Sequence, residues 1–169
     1  MTGWPDFFHT KKKAVPVSEA AGLSADVRDE IRAHGTPKIR LIFMGTPELA
    51  ASLLSGLVAQ KYNIVSVITK PDRPIGRAQE VTQSAVKKKA LEYGLAIEQP
   101  AKLDQAAIEK IRALKPDLII VAAYGKILPQ AILQIPGFGC INVHASLLPK
   151  WRGASPIQST IHQGEAETG

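Results

Sequence analysis

Residues 118–123 read Leu-Ile-Ile-Val-Ala-Ala, six apolar side chains in a row. A strand with one wet face alternates apolar and polar residues; a run without alternation is what a strand covered on both faces requires. Working outward, Ile39–Met44 and Ile64–Thr69 (Ile-Val-Ser-Val-Ile-Thr) are short strand-like runs, and Leu95–Glu98 and Cys140–Ala145 are two more. Helical stretches fall between them: Glu48–Gln60, Ser84–Tyr93 ended by Gly94, Asp104–Leu114, a turn over Pro129–Leu133, and Ser155–Gln163 with Pro156 in its first turn. Thr46 is placed to cap the first helix ahead of Pro47, and Asp104 to cap the third. Pro71–Gln79, with two prolines and a glycine, reads as a long loop. Strand alternating with helix at this spacing implies right-handed crossovers and an open, doubly wound, mainly parallel α/β sheet. Ligands in such sheets bind beyond the carboxyl ends of the strands, so the loops after Met44, Thr69, Ala123 and Ala145 are the informative ones.

Composition narrows the class. The 169 residues contain one cysteine, Cys140, which excludes an internal disulfide and a cysteine-cluster zinc site. Hydrophobic residues at 45% and charged residues at 21% are ordinary globular values. No apolar run approaches the ~18–20 residues of a membrane span. Met1–Pro16 lacks the apolar centre of a signal peptide, and Asp6 argues against a mitochondrial presequence. The expectation is a soluble, cytoplasmic protein. Residues 1–37 differ in texture from the rest, with Gly3, Pro5, Lys11-Lys12-Lys13 and Pro16. They read as an appendage, with one helix from Ser18 or Ser24 to about Ala33, ahead of a domain over 38–169.

Charge is concentrated. The chain carries +6, and Lys70–Lys89 alone holds six basic residues against Asp72 and Glu80. Such a stretch suits an anionic partner such as a phosphate backbone, or is simply a solvated lysine-rich face.

Several chemical motifs are absent. Gly45-Thr46-Pro47-Glu48 stands where a G-x-G-x-x-G would follow the first strand, and there is no Walker loop, H-E-x-x-H or G-x-S-x-G. Asn142 and His144 are the candidate catalytic residues. Two apart on one strand, they point to the same face at its carboxyl end. An amide donor beside an imidazole can hold a carbonyl oxygen, stabilise the oxyanion that forms and move a proton. The plainer alternative is a polar strand end with a structural histidine. Leu147, Leu148, Pro149 and Trp151 follow, costly in an exposed loop unless they line a pocket for something flat and apolar, or fold back on the core.

The stretch Cys140–Gln158, Cys-Ile-Asn-Val-His-Ala-Ser-Leu-Leu-Pro-Lys-Trp-Arg-Gly-Ala-Ser-Pro-Ile-Gln, resembles the signature of the folate-dependent formyltransferases. Ile39–Glu48, Lys70–Lys87 and Val121–Pro129 are similar to the methionyl-tRNA formyltransferase branch of that family, and the likeness runs from about Lys38 to Gly169. The resemblance implies a Rossmann-like domain that passes a formyl group from 10-formyltetrahydrofolate to the amine of initiator methionyl-tRNA, without a metal and as a monomer. Asn142 and His144 would belong to a catalytic Asn–His–Asp trio, with Asn142 on the formyl oxygen. Ser146, Leu147, Leu148 and Pro149 would bind the folate, with Ile127 and Leu128 against its pterin. Arg73, Arg77 and Lys87 would meet the tRNA. Ala78 stands where a second glycine is usual, and Gln83-Ser84-Ala85 replaces the usual Pro-Ser-Pro. In the family another strand, the aspartate-bearing loop and a C-terminal β-barrel follow the point matching Gly169. The chain therefore reads as a catalytic domain incomplete at its C-terminus. Two alternatives remain: a non-catalytic folate- or RNA-binding fragment, and a glycinamide ribonucleotide formyltransferase relative, against which the long basic loop argues.

Overall fold

Strand β1 (Leu41–Gly45) is buried along its whole length. The computed structural model describes residues 39–75, 80–153 and 155–169. The appendage, its expected helix and Arg77 lie outside the described residues. After β1 come α1 (Glu48–Ala59), β2 (Ile64–Ile68), the short β3 (Arg73–Ile75) and β4 (Glu80–Thr82), and α2 (Ala85–Glu92). Then follow β5 (Ile97–Glu98), α3 (Gln105–Ala113), β6 (Leu118–Ala122), α4 (Gln130–Leu133), β7 (Cys140–Val143) and α5 (Pro156–His162).

Five strands pair in parallel in the order β5–β2–β1–β6–β7. The chain starts at the centre, winds outward through β2 and β5, then returns to build β6 and β7 on the other side of β1. This is the doubly wound topology expected, with its switch point between β1 and β6, which run in register from Leu41↔Leu118 to Gly45↔Ala122. Alternate side chains of β1 enter opposite layers. Leu41 and Phe43 pack with Ala50 and Leu54 of α1 and Val86 and Ala90 of α2. Ile42 and Met44 pack with Ile108 and Ile111 of α3 and Ile132 of α4. Two covered faces explain why the central strands are apolar without alternation.

Gly45 closes β1 where no side chain fits. A Cβ there would lie 2.7 Å from Ala50 Cβ and 3.0 Å from the Ala122 carbonyl. The helix after it is not capped by Thr46. Pro47 occupies the cap position, its carbonyl accepting from Ala51 N at 3.0 Å, and no side chain caps the helix. The Thr46 hydroxyl instead donates to the Tyr124 carbonyl at 3.1 Å, tying the β1 loop to the end of β6 across the switch point. Ser84 and Asp104 do cap their helices, accepting from Lys87 N at 3.0 Å and Ala107 N at 3.1 Å.

The expected loop over Pro71–Gln79 is in part a hairpin: β3 pairs antiparallel with β4, Arg73↔Thr82 to Ile75↔Glu80. Pro74 disguises the strand. Proline lacks a donor for a ladder and is tolerated where a strand has one partner only, as here. Among the described residues no helix is long and apolar enough to cross a membrane.

Candidate active site

β7 is paired on one side, to β6, with Val121↔Asn142 and Ala122↔Val143 in register. Paired residues of a parallel sheet point the same way, so Asn142 shares the layer of Val121, and Ile141 and Val143 take the other. Asn142 is exposed, and its amide has no hydrogen-bond partner among the described residues. His144 lies just past the strand, half-buried, with Nδ1 2.9 Å from the Ser146 hydroxyl. The strand thus delivers a free amide and a tethered imidazole, two residues apart, to the carboxyl edge of the sheet.

The loop that follows is tightly organised. Ser146 is buried, and its hydroxyl donates to the Lys150 carbonyl at 2.8 Å. Lys150 N donates to the Leu147 carbonyl at 3.1 Å, closing a turn that contains a cis Leu148–Pro149 bond. Glu165, just beyond α5, accepts from Lys150 Nζ at 2.9 Å and from Trp151 Nε1 at 3.0 Å. The Trp151 and Lys150 hydrogen bonds hold its carboxyl below the ordinary value. Thr168 Oγ1 donates to the Ala145 carbonyl at 3.1 Å, so the segment after α5 fastens both ends of the loop.

That fastening leaves apolar side chains outward. Leu147 and Leu148 are exposed at 53% and 57%, and Ile127, after β6, at 81%. Pro149 is exposed as well, whereas Leu128 turns in and packs against the α3–α4 layer. Of the six residues expected to hold folate, four therefore present a surface; Leu128 and Ser146 are taken up inside.

The basic stretch divides similarly. Arg73 is exposed, without a side-chain partner among the described residues. Lys87 is ion-paired to Asp72, which also accepts from Gln99 Nε2 at 2.8 Å. Those hydrogen bonds, Lys87 first, hold the Asp72 carboxyl below its ordinary value. Lys87 thereby anchors the base of the hairpin to α2.

A cationic feature went unseen in the sequence. Lys70, after β2, lies with its ammonium against Gly125, after β6. Lys126 beside it donates to the Pro100 and Ala101 carbonyls at 2.8 and 2.7 Å. Burial, and then the charge of Lys70, push the Lys126 pKa down. The two lysines come together only because β1 alone separates β2 from β6, and nothing in their spacing announces it. A small hollow of about 20 Å³, bounded by Ile68, Glu98, Pro100 and Lys110, lies away from Asn142 and His144. Among the described residues no cluster of metal-ligating side chains occurs.

The description of one family, formyl transferase, matches residues 38–169. The chain belongs to the formyl transferase family. It is 51% identical over 132 residues to the methionyl-tRNA formyltransferase of Ectopseudomonas mendocina, covering 78% of this chain and 42% of that protein. It is 54% identical over 135 residues to the methionyl-tRNA formyltransferase of Pseudomonas fluorescens (79% and 42%) and 52% identical over 132 residues to that of Alkaliphilus metalliredigens (78% and 42%). The chain spans about two fifths of the length of these relatives. Among solved structures it resembles the phosphoribosylglycinamide formyltransferases of Streptococcus pneumoniae and Anaplasma phagocytophilum. The first has a TM-score of 0.58 at 18% identity and covers 77% of this chain and 69% of that one. The second has 0.58 at 21%, covering 75% and 59%. At such identities the likeness is one of fold.

Within the formyltransferase domain, Glu165 and Lys150 are the structurally important residues that sequence reasoning missed. Glu165 reaches across α5 to partners 14 and 15 residues earlier, a separation that carries no periodic signal.

Proposed function

We propose that this chain forms the formyl-donor side of a methionyl-tRNA formyltransferase, acting on the amino group of methionyl initiator tRNA. The observation that carries the reading is the Asn142 amide, without a partner among the described residues, two residues from His144, at the edge of a sheet whose loops after β6 and β7 turn Ile127, Leu147 and Leu148 outward. An exposed apolar ledge beside a free amide fits a flat ring system with one carbonyl oxygen to be held. 10-Formyltetrahydrofolate would supply the one-carbon acyl group. Asn142 donates to the oxygen of that group as negative charge grows on it, which is worth most when the donor is already in place. His144 takes the proton that the attacking amine must lose, stabilises the same charge once protonated, and returns the proton to N10 of the folate as the bond between the formyl carbon and N10 breaks. Leu147, Leu148 and Pro149 support the ring, with Ile127 on the loop after β6. Arg73, Arg77 and Lys70–Lys126 meet phosphates of the acceptor end, contacts that give salt-sensitive affinity without sequence preference. Lys87 takes part through the hairpin it anchors. The reading carries with it a cytoplasmic monomer, with residues 1–37 as an appendage to the catalytic fold.

The test puts residues 38–169 of this chain in place of the matching segment of the Pseudomonas fluorescens relative. The chimera is expected to formylate charged initiator tRNA and to leave glycinamide ribonucleotide untouched; formylation of the small ribonucleotide alone contradicts the tRNA assignment. A second reading applies to the 169 residues by themselves: folate and RNA binding without turnover. Measurable transfer by the isolated chain rules that reading out.

A further inference from the structure

Ser146 has one hydroxyl proton and two neighbours to satisfy. The Lys150 carbonyl, 2.8 Å away, can only accept. The hydroxyl proton therefore points at Lys150, and the contact with His144 Nδ1 at 2.9 Å is a hydrogen bond only if Nδ1 carries a proton and the Ser146 oxygen accepts it. The reverse arrangement would leave the Ser146 and Lys150 oxygens 2.8 Å apart with no proton between them, two lone pairs facing each other at hydrogen-bond distance. Nε2 has no partner among the described residues.

We propose that Ser146 is a positioning residue: through its link to the Lys150 carbonyl it holds His144 in the Nδ1–H form and leaves Nε2 as the ring atom that faces the reactants. The mention of reactants rests on the function proposed above; the tautomer does not. The link is held from behind. Lys150 N is bonded to Leu147, its ammonium to Glu165, and the next side chain, Trp151, to the same carboxylate. Glu165 thus fixes the peptide whose carbonyl orients the serine, and the serine orients the histidine. Orienting a catalytic histidine through the ring nitrogen it does not use is a general device, and which nitrogen reacts is set by the bond the other makes. For Ser146 this is a different task from the folate contact read from the sequence, and its burial suits it better.

The direct test is long-range proton–nitrogen NMR of the His144 ring in the ¹⁵N-labelled 169-residue chain, above the histidine titration. The expected result is a pyrrole-type Nδ1 and a pyridine-type Nε2. The opposite pattern in the unaltered protein overturns the proposal, with no variant needed. Ser146→Ala is expected to shift the ring toward the Nε2–H form, and Ser146→Thr, which restores the hydroxyl, to shift it back. An unchanged pattern in Ser146→Ala overturns it too. Glu165→Gln, which keeps the backbone intact, is expected to broaden or mix the two forms, and should it leave them unaltered the Glu165 part is wrong. In the chimera, Ser146→Ala is expected to lower kcat ~10-fold or more while KM for the folate changes less than twofold; the reverse split restores the folate-contact role. Nitrogen shifts as expected together with full activity of a His144→Ala chimera would instead overturn the proposed function.

Discussion

Cys140 packs its thiol 4.0 Å from the Leu133 carbonyl, and burial pushes its pKa up to about 11. At pH 8 only ~10⁻³ of it is thiolate, the reactive form. Alkylation of the folded chain at pH 8 is accordingly expected to be at least ~10-fold slower than in denaturant; equal rates would show the thiol to be open. Tyr124 is buried with a hydroxyl that has no partner among the described residues. An unsatisfied buried hydroxyl costs ~1–3 kcal/mol, so Tyr124→Phe is expected to stabilise by about 1 kcal/mol in urea unfolding. A loss of stability would reveal a partner for that oxygen. Asn142 and His144 were legible as candidates because a strand fixes side-chain parity. The serine proton, the lysine carbonyl and the Glu165 tie were not, because each depends on how a loop without periodicity folds back.

At the scale of elements, local chemistry decided some ends and distant contacts decided others. Ser84 and Asp104 cap as their residue type predicts, and replacing either by alanine is expected to cost ~0.5–2 kcal/mol in urea unfolding. Thr46 has the same cap chemistry but is drawn to the Tyr124 carbonyl. Thr46→Val is therefore expected to disturb amide shifts at Tyr124 and Gly125 more than those in α1. The β3–β4 hairpin was hidden by Pro74 and is held at its base by Asp72 and Lys87. The folded Asp72 pKa lies below its ordinary 3.8, so the pair stabilises fully above that value and its contribution disappears as pH falls through the lower folded one. The protection of β4 amides against hydrogen exchange, relative to the intrinsic rate at each pH, is expected to fall below pH 3.8 in the native chain. In Asp72→Asn that protection should be low already at pH 6; matching profiles would show that the pair contributes nothing to holding the hairpin.

For the molecule as a whole, the doubly wound parallel sheet and its covered faces could be read from the alternation of apolar runs with helical stretches; the order of the strands comes from the structure. The extent of the exposed apolar ledge could not, because exposure of Ile127 against burial of Leu128 is settled by the turn after β6. What the architecture accomplishes is to bring a free amide, a tethered imidazole and a pair of lysines to one edge of the sheet from loops far apart in sequence. The central claim is that Asn142 and His144 act together on the transferred acyl group. The most direct measurement is the rate of methionyl-tRNA formylation by the 38–169 chimera carrying His144→Ala or Asn142→Ala. Each is expected to lower kcat by ~10²-fold or more, the size of proton-transfer and oxyanion effects. A loss of less than ~10-fold for either, in a chimera that still folds, contradicts the account.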